Sequence, residues 1–176
     1  MIYVLDACAV VALIKEEPGA GIIQNMIDQT IEGEITLCIS VVNLAEVYYG
    51  YIRELGNAAA LKILERIYAA PIDIVEAIPE PVYLEASRLK GAYKISLADA
   101  FGLGTAIILH GVFVTSDGEL KEPEAKEAAP VFWFRPPKEK QDRKKVDVNA
   151  LIRRAEHAEQ RAEQAEQRIA LLEAGS

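Results

Sequence analysis

Four short runs set the architecture: Ile2-Tyr3-Val4-Leu5, Thr36 to Ile39, Val112-Phe113-Val114-Thr115 and Val131-Phe132-Trp133-Phe134. They are apolar almost throughout and do not alternate with polar residues. A strand with one wet face alternates, whereas a strand covered on both faces does not. The chain between the runs supplies the covering helices. Helical stretches are expected from Ala7 to Lys15, from Pro18 to near Gly33, from Val42 to Leu55 behind a Ser40 cap, and from Ala58 to Ala70. Pro71 breaks the last of these before the run Ile72 to Val75, and further helices fall around Pro81 to Lys90 and from Ser96 onward. Gly111 punctuates before Val112. Short apolar strands alternating with helices specify an α/β domain with a mainly parallel sheet. In such domains the ligand crevice lies beyond the carboxyl ends of the strands.

The chain has 176 residues, enough for one ordinary domain and an appendage, and a formal net charge of −8. That balance argues against a basic surface that coats nucleic acid or anionic membrane. The charge is uneven: Met1 to Phe134 carries 9 Lys and Arg against 19 Asp and Glu, whereas Arg135 to Ser176 carries 10 against 8. Cys8 and Cys38 sit in apolar surroundings and read as small buried thiols of a reducing compartment. The N-terminus lacks a basic segment, and Asp6 interrupts its apolar run, so no secretory signal is read there. Uninterrupted apolar stretches fall short of the ~18 residues of a membrane span. The expectation is a soluble, cytoplasmic protein with no membrane partner.

Texture changes after Phe134, which gives an expected domain over 1–134, a basic linker over 135–146 and a helix over 147–173. Within that helix "AEHAEQR" (Ala155 to Arg161) is nearly repeated as "AEQAEQR" (Ala162 to Arg168). Val148, Leu151, Ala155, Ala158, Ala162, Ala165, Ile169 and Leu172 keep the 3-4 spacing of a coiled-coil seam. Arg154 and Arg161 would face Glu159 and Glu166 of a parallel partner. An alanine seam buries little area, so a solitary helix is the open alternative.

Four carboxylates stand out, each beside a plainer reading. Asp6 ends the first strand, where it could equally cap the next helix. Asp117 follows the Val112 strand in "VTSDGE", which is also ordinary turn sequence. Asp99, in "SLADAFGLGTAIIL", shares its helical face with Gly102, Leu103, Ala106 and Ile107, an apolar stripe. Ser96-Leu97-Ala98-Asp99 also fits a capping box, which uses only part of the carboxylate. Glu46 lies on a stripe with Asn43, Gly50, Arg53 and Asn57 that could be a solvated face. In a parallel sheet all four acids converge on one edge, and such a cluster needs a counter-charge. Oxygen-only donors select Mg2+ or Mn2+, and His110 and His157 are too scattered to act as ligands. Water attack on a phosphodiester is the natural chemistry of an acidic metal site.

The stretches "YVLDACAVVALIKEEPGA", "ISVVNLAEVYYG", "ISLADAFGLGTA" and "VFVTSDGEL" occur in the order and spacing of one family. Over Met1 to Phe134 the chain resembles the PIN-domain nucleases and, within them, the VapC-type toxins of prokaryotic toxin–antitoxin pairs. The resemblance implies a three-layer α/β/α domain with four or five strands and metal-dependent endoribonuclease activity. It implies that Asp6 and Asp99 bind Mg2+ (Mn2+ as substitute) directly, that Glu46 orients water, and that Asp117 completes the site. Thr115, two residues before Asp117, would support that water or the scissile phosphate. It also implies homodimers or higher homo-oligomers and a cognate antitoxin. Arg53, Lys94 and the segment from Lys138 to Lys145 are candidate RNA phosphate contacts. Two departures from the family pattern are Cys8, where Ser or Thr is frequent, and Gly118-Glu119-Leu120, where a basic residue and Phe are frequent. A catalytically silent PIN scaffold, a phosphoacceptor domain and a DNA-cutting nuclease remain the alternatives.

Overall fold

The computed structural model describes residues 1–127 and 129–138. These lie in the first of two units, Met1–Asp142; the second, Arg143–Ser176, is outside the described residues, as are the heptad helix and most of the basic linker. The elements run β1 (Ile2–Leu5), α1 (Ala7–Ile14), α2 (Ala20–Ile31), β2 (Thr36–Ser40), α3 (Val41–Leu55), α4 (Asn57–Ala69) and β3 (Asp73–Val75). They continue with α5 (Glu80–Ala92), α6 (Leu97–Ile108), β4 (Val112–Asp117), a 3-10 turn (Gly118–Leu120), α7 (Lys121–Glu127) and β5 (Val131–Lys138).

The five strands form one sheet in the order β3-β2-β1-β4-β5, with every neighbouring pair parallel. Side chains alternate across it, as the strand period requires. Leu5, Ile39 and Val114, in register across three strands, enter one core with Val10 of α1, Ile23 of α2, Val47 of α3 and Ile67 of α4. Val4, Cys38 and Phe113, one residue earlier in each strand, enter the other core with Leu89 of α5 and Leu103 of α6. This is a three-layer α/β/α sandwich, and both sheet faces are dry. That accounts for the lack of alternation in the strand sequences.

Helices α1 to α4 carry the chain from β1 through β2 to β3 on one face. Helices α5 and α6 then return it past β1 to β4 on the opposite face. Right-handed crossovers that reverse direction must change face. The reversal leaves a crevice between the carboxyl ends of β1 and β4.

Two strands run longer than their apolar sequences suggest. Thr115, Ser116 and Asp117 all belong to β4, with an irregularity in the pairing to β5 between Thr115 and Asp117. Strand β5 continues past Phe134 through Arg135-Pro136-Pro137 to Lys138. Proline is tolerated there because β5 is an edge strand, with one side free of ladder bonds among the described residues. Arg135 also fastens this stretch, donating to Ser116 Oγ at 3.0 Å, Glu17 at 2.7 Å and the Pro18 carbonyl at 3.1 Å. No helix among the described residues is long and apolar enough to cross a membrane.

Candidate functional site

Asp6 is the first residue beyond β1, and its N–H still pairs with the Val114 carbonyl at 3.0 Å. It stands at the N-cap of α1, yet its side chain makes no capping bond. The carboxylate is buried and gathers donors from three elements. Oδ2 accepts from the Thr115 hydroxyl of β4 at 2.6 Å and from the Cys8 thiol of α1 at 3.0 Å. Oδ1 accepts from Nδ2 of Asn43 on α3 at 3.3 Å. Thr115 in turn accepts from the Asp117 N–H at 3.0 Å, which couples the end of β4 to Asp6.

Asp99 reaches the same edge from α6. Ser96 Oγ accepts from the Asp99 N–H at 2.9 Å, and Asp99 Oδ2 accepts from the Ser96 N–H at 3.1 Å. The capping box anticipated from spacing is therefore present, and both its bonds leave Oδ1 of the carboxylate untouched. Ser96→Ala is expected to cost about 1 kcal/mol of stability. Chemical denaturation measures this, and an unchanged midpoint would show that the cap carries no weight.

Asp117 realises its plainer reading as well: Oδ1 accepts from the Glu119 N–H at 2.9 Å and caps the 3-10 turn. Glu46 is half-buried on α3 and accepts from the Tyr49 hydroxyl at 3.2 Å. One turn earlier on that helix, Asn43 is the residue that reaches Asp6. Asn43 stands in the Glu46 stripe, but its spacing alone gave no sign that it turns inward.

The electrostatics follow from burial and from the neighbouring charges. Desolvation raises the Asp6 pKa, the Thr115 and Cys8 hydrogen bonds oppose the rise, and the Asp117 charge adds to it. The Asp99 pKa is raised to about 7, first by burial and next by the Asp6 charge; bonds from Ser96 lower it and Asp117 raises it. Burial and the Asp6 charge push the Cys8 thiol well above its ordinary value. Cys8 therefore stays protonated and donates to Asp6, so sulfur retains the hydrogen bond a hydroxyl would make there.

Asp6 and Asp99 thus both feel the charge of Asp117, and Asp99 that of Asp6, while Thr115, Cys8 and Asn43 orient Asp6. Among the described residues, no three side chains of His, Cys, Asp and Glu are grouped closely enough to hold a metal ion as they stand. The donor chemistry nonetheless fits a hard cation. The nearest acids offer only oxygen, both are buried, and among the described residues the buried Oδ1 of Asn43 has no hydrogen-bond partner. Asp6 and Asp99 are the residues that could hold such an ion.

The family model of the PIN domain matches residues 3–126. This chain belongs to the PIN domain family. The matched span of the PIN domain includes Asp6, Glu46, Asp99, Thr115 and Asp117. Among solved structures, the fold is similar to DNA-bound VapBC from Salmonella typhimurium (TM-score 0.57, 16% identity, 77% of this chain and 99% of that one). It is also similar to VapBC2 from Rickettsia felis bound to a promoter DNA fragment (0.56, 21%, 69% and 92%). A third is VapC20 of Mycobacterium tuberculosis, a sarcin–ricin loop cleaving toxin (0.53, 14%, 72% and 95%). At these identities the likeness is one of fold. No curated protein matches the chain.

Proposed function

We propose that this PIN domain is a metal-dependent endoribonuclease of the VapC toxin kind, with Asp6 and Asp99 as direct ligands of Mg2+ or Mn2+. The observation that carries the reading is the burial of these two carboxylates at the strand-order reversal, Asp6 oriented by hydrogen bonds from β4 and α3 and Asp99 by the Ser96 N–H at the cap of its own helix. A bound divalent cation would supply their counter-charge, lower the pKa of water and neutralise charge developing on the phosphodiester. Thr115 and Asn43 hold the two oxygens of Asp6 in fixed directions, and Ser96 holds Oδ2 of Asp99. Asp117, steadied by the Glu119 N–H, adds negative charge at the rim, and Glu46 orients the attacking water.

RNA enters along cations outside the acidic centre, for which exposed Arg53 and Lys94 are the candidates, with the segment from Lys138 to Lys145. The VapBC names of two structural neighbours support a cognate antitoxin as partner, and the cleaving toxin named in the third supports RNA as substrate. Homo-oligomers and a cytoplasmic location complete the proposal.

Cleavage of total and transfer RNA by the purified, antitoxin-free chain tests it, with Mg2+, Mn2+ or a chelator. Cuts that need the ion and stop on chelation support the reading. Cuts indifferent to chelation contradict the metal, and a chain that binds RNA or protein without cutting is the silent scaffold.

A further inference from the structure

Asn43 is fully buried in the first turn of α3 and stands between Asp6 and Gly102 of α6. Its Nδ2 donates to Oδ1 of Asp6 at 3.3 Å. Its own Oδ1 accepts no hydrogen bond among the described residues and points at Gly102 of α6. A Cβ at Gly102 would stand 2.8 Å from that oxygen and would also run into the Phe113 ring. Gly102 is three residues beyond Asp99, on the same helical face. One amide therefore spans from Asp6 to the helix turn that carries Asp99.

Neither the helix nor the core accounts for this residue. The start of α3 is already capped by Ser40 Oγ, which accepts from the Val42 N–H at 3.2 Å and the Asn43 N–H at 3.4 Å. A leucine, with the same branching, would fill the space and remove the unbonded Oδ1, at the cost of the hydrogen bond to Asp6. What leucine lacks is the N–H that fixes the direction of the Asp6 carboxylate.

We propose that Asn43 is a positioning residue for the divalent cation: it orients Asp6 through its amide N–H and sets the Asp6–Asp99 spacing by resting against Gly102. It acts through Asp6, and Gly102 keeps its place open. This inference rests on the metal-site reading above.

The test is the Mn2+ dissociation constant of the full chain, with the melting temperature of the metal-free protein measured alongside. Wild type is compared with Asn43→Leu, Asn43→Ala, Gly102→Ala and Asp99→Asn. Asn43→Leu is expected to weaken Mn2+ binding by about 10–100-fold, the range for residues that orient a ligand. Its metal-free melting temperature stays close to that of wild type, because losing the unbonded acceptor offsets the loss of one donor to Asp6. Gly102→Ala, which displaces the amide, weakens binding in the same direction. Should either variant fold poorly, Asn43→Ala removes the amide without adding atoms and carries the same expectation.

Mn2+ affinity unchanged in Asn43→Leu and Asn43→Ala, while Asp99→Asn loses it, overturns the role of Asn43 alone. So does an affinity that falls only as far as the melting temperature falls. If wild type binds no Mn2+, or Asp99→Asn binds as wild type does, the metal-site reading fails and this inference with it.

Discussion

Asp99→Asn is expected to reduce RNA cleavage by about three orders of magnitude or more, since a direct ligand supplies several kcal/mol of charge stabilisation. The same change should leave the metal-free protein as stable as wild type, or more stable. Asparagine keeps an oxygen that can accept from the Ser96 N–H, so the capping box survives. It also removes a buried charge that Asp6 and Asp117 repel. Single-turnover cleavage and a thermal melt on the same preparation separate the two effects. Activity lost in step with the melting temperature would show that Asp99 serves the fold alone.

Phe113→Ala should be the costliest single change to stability, at about 3–5 kcal/mol. The ring is fully buried in β4, packs in the core formed with α5 and α6, and occupies the space beside Gly102. Its loss opens a cavity directly beneath the site, so activity should fall as well. Urea denaturation gives the number. A loss under about 1 kcal/mol would mean that α6 closes onto the sheet, against the close packing expected of such a core.

The raised carboxyls also fix the sign of a pH effect. With its pKa raised from 3.8 to about 7, Asp99 binds its proton more tightly in the folded chain than in the unfolded one. Metal-free stability is then greatest at low pH with respect to this group and is lost as pH rises through about 7. Asp6 shifts in the same direction. A cation competes with those protons, so stabilisation by Mn2+ should grow over the same interval. Melting curves from pH 4.5 to 8, with chelator and with Mn2+, test both slopes, and Asp99→Asn should flatten them.

Much of this was legible in the sequence, because burial on both faces leaves a mark that does not depend on detail. Strand runs without alternation announced a sheet between two helical layers, and Ser96-x-x-Asp99 announced its own capping box. What the sequence withheld were directions of side chains. Asp6 stands where a capping residue would, and only the fold shows its carboxylate turned toward Thr115, Cys8 and Asn43. Asn43 and Glu46 lie one turn apart on a single stripe, and helical spacing cannot say which of them meets β1. The extent of β5 was hidden for a different reason: Arg135-Pro136-Pro137 reads as a break, and an edge strand accepts it.

The most direct test is a crystal of the full chain grown with Mn2+, read by anomalous diffraction. The account predicts a peak between Asp6 and Asp99, about 2 Å from an oxygen of each. Density that is absent there at saturating Mn2+, or that lies on surface acids away from the β1–β4 crevice, would contradict it.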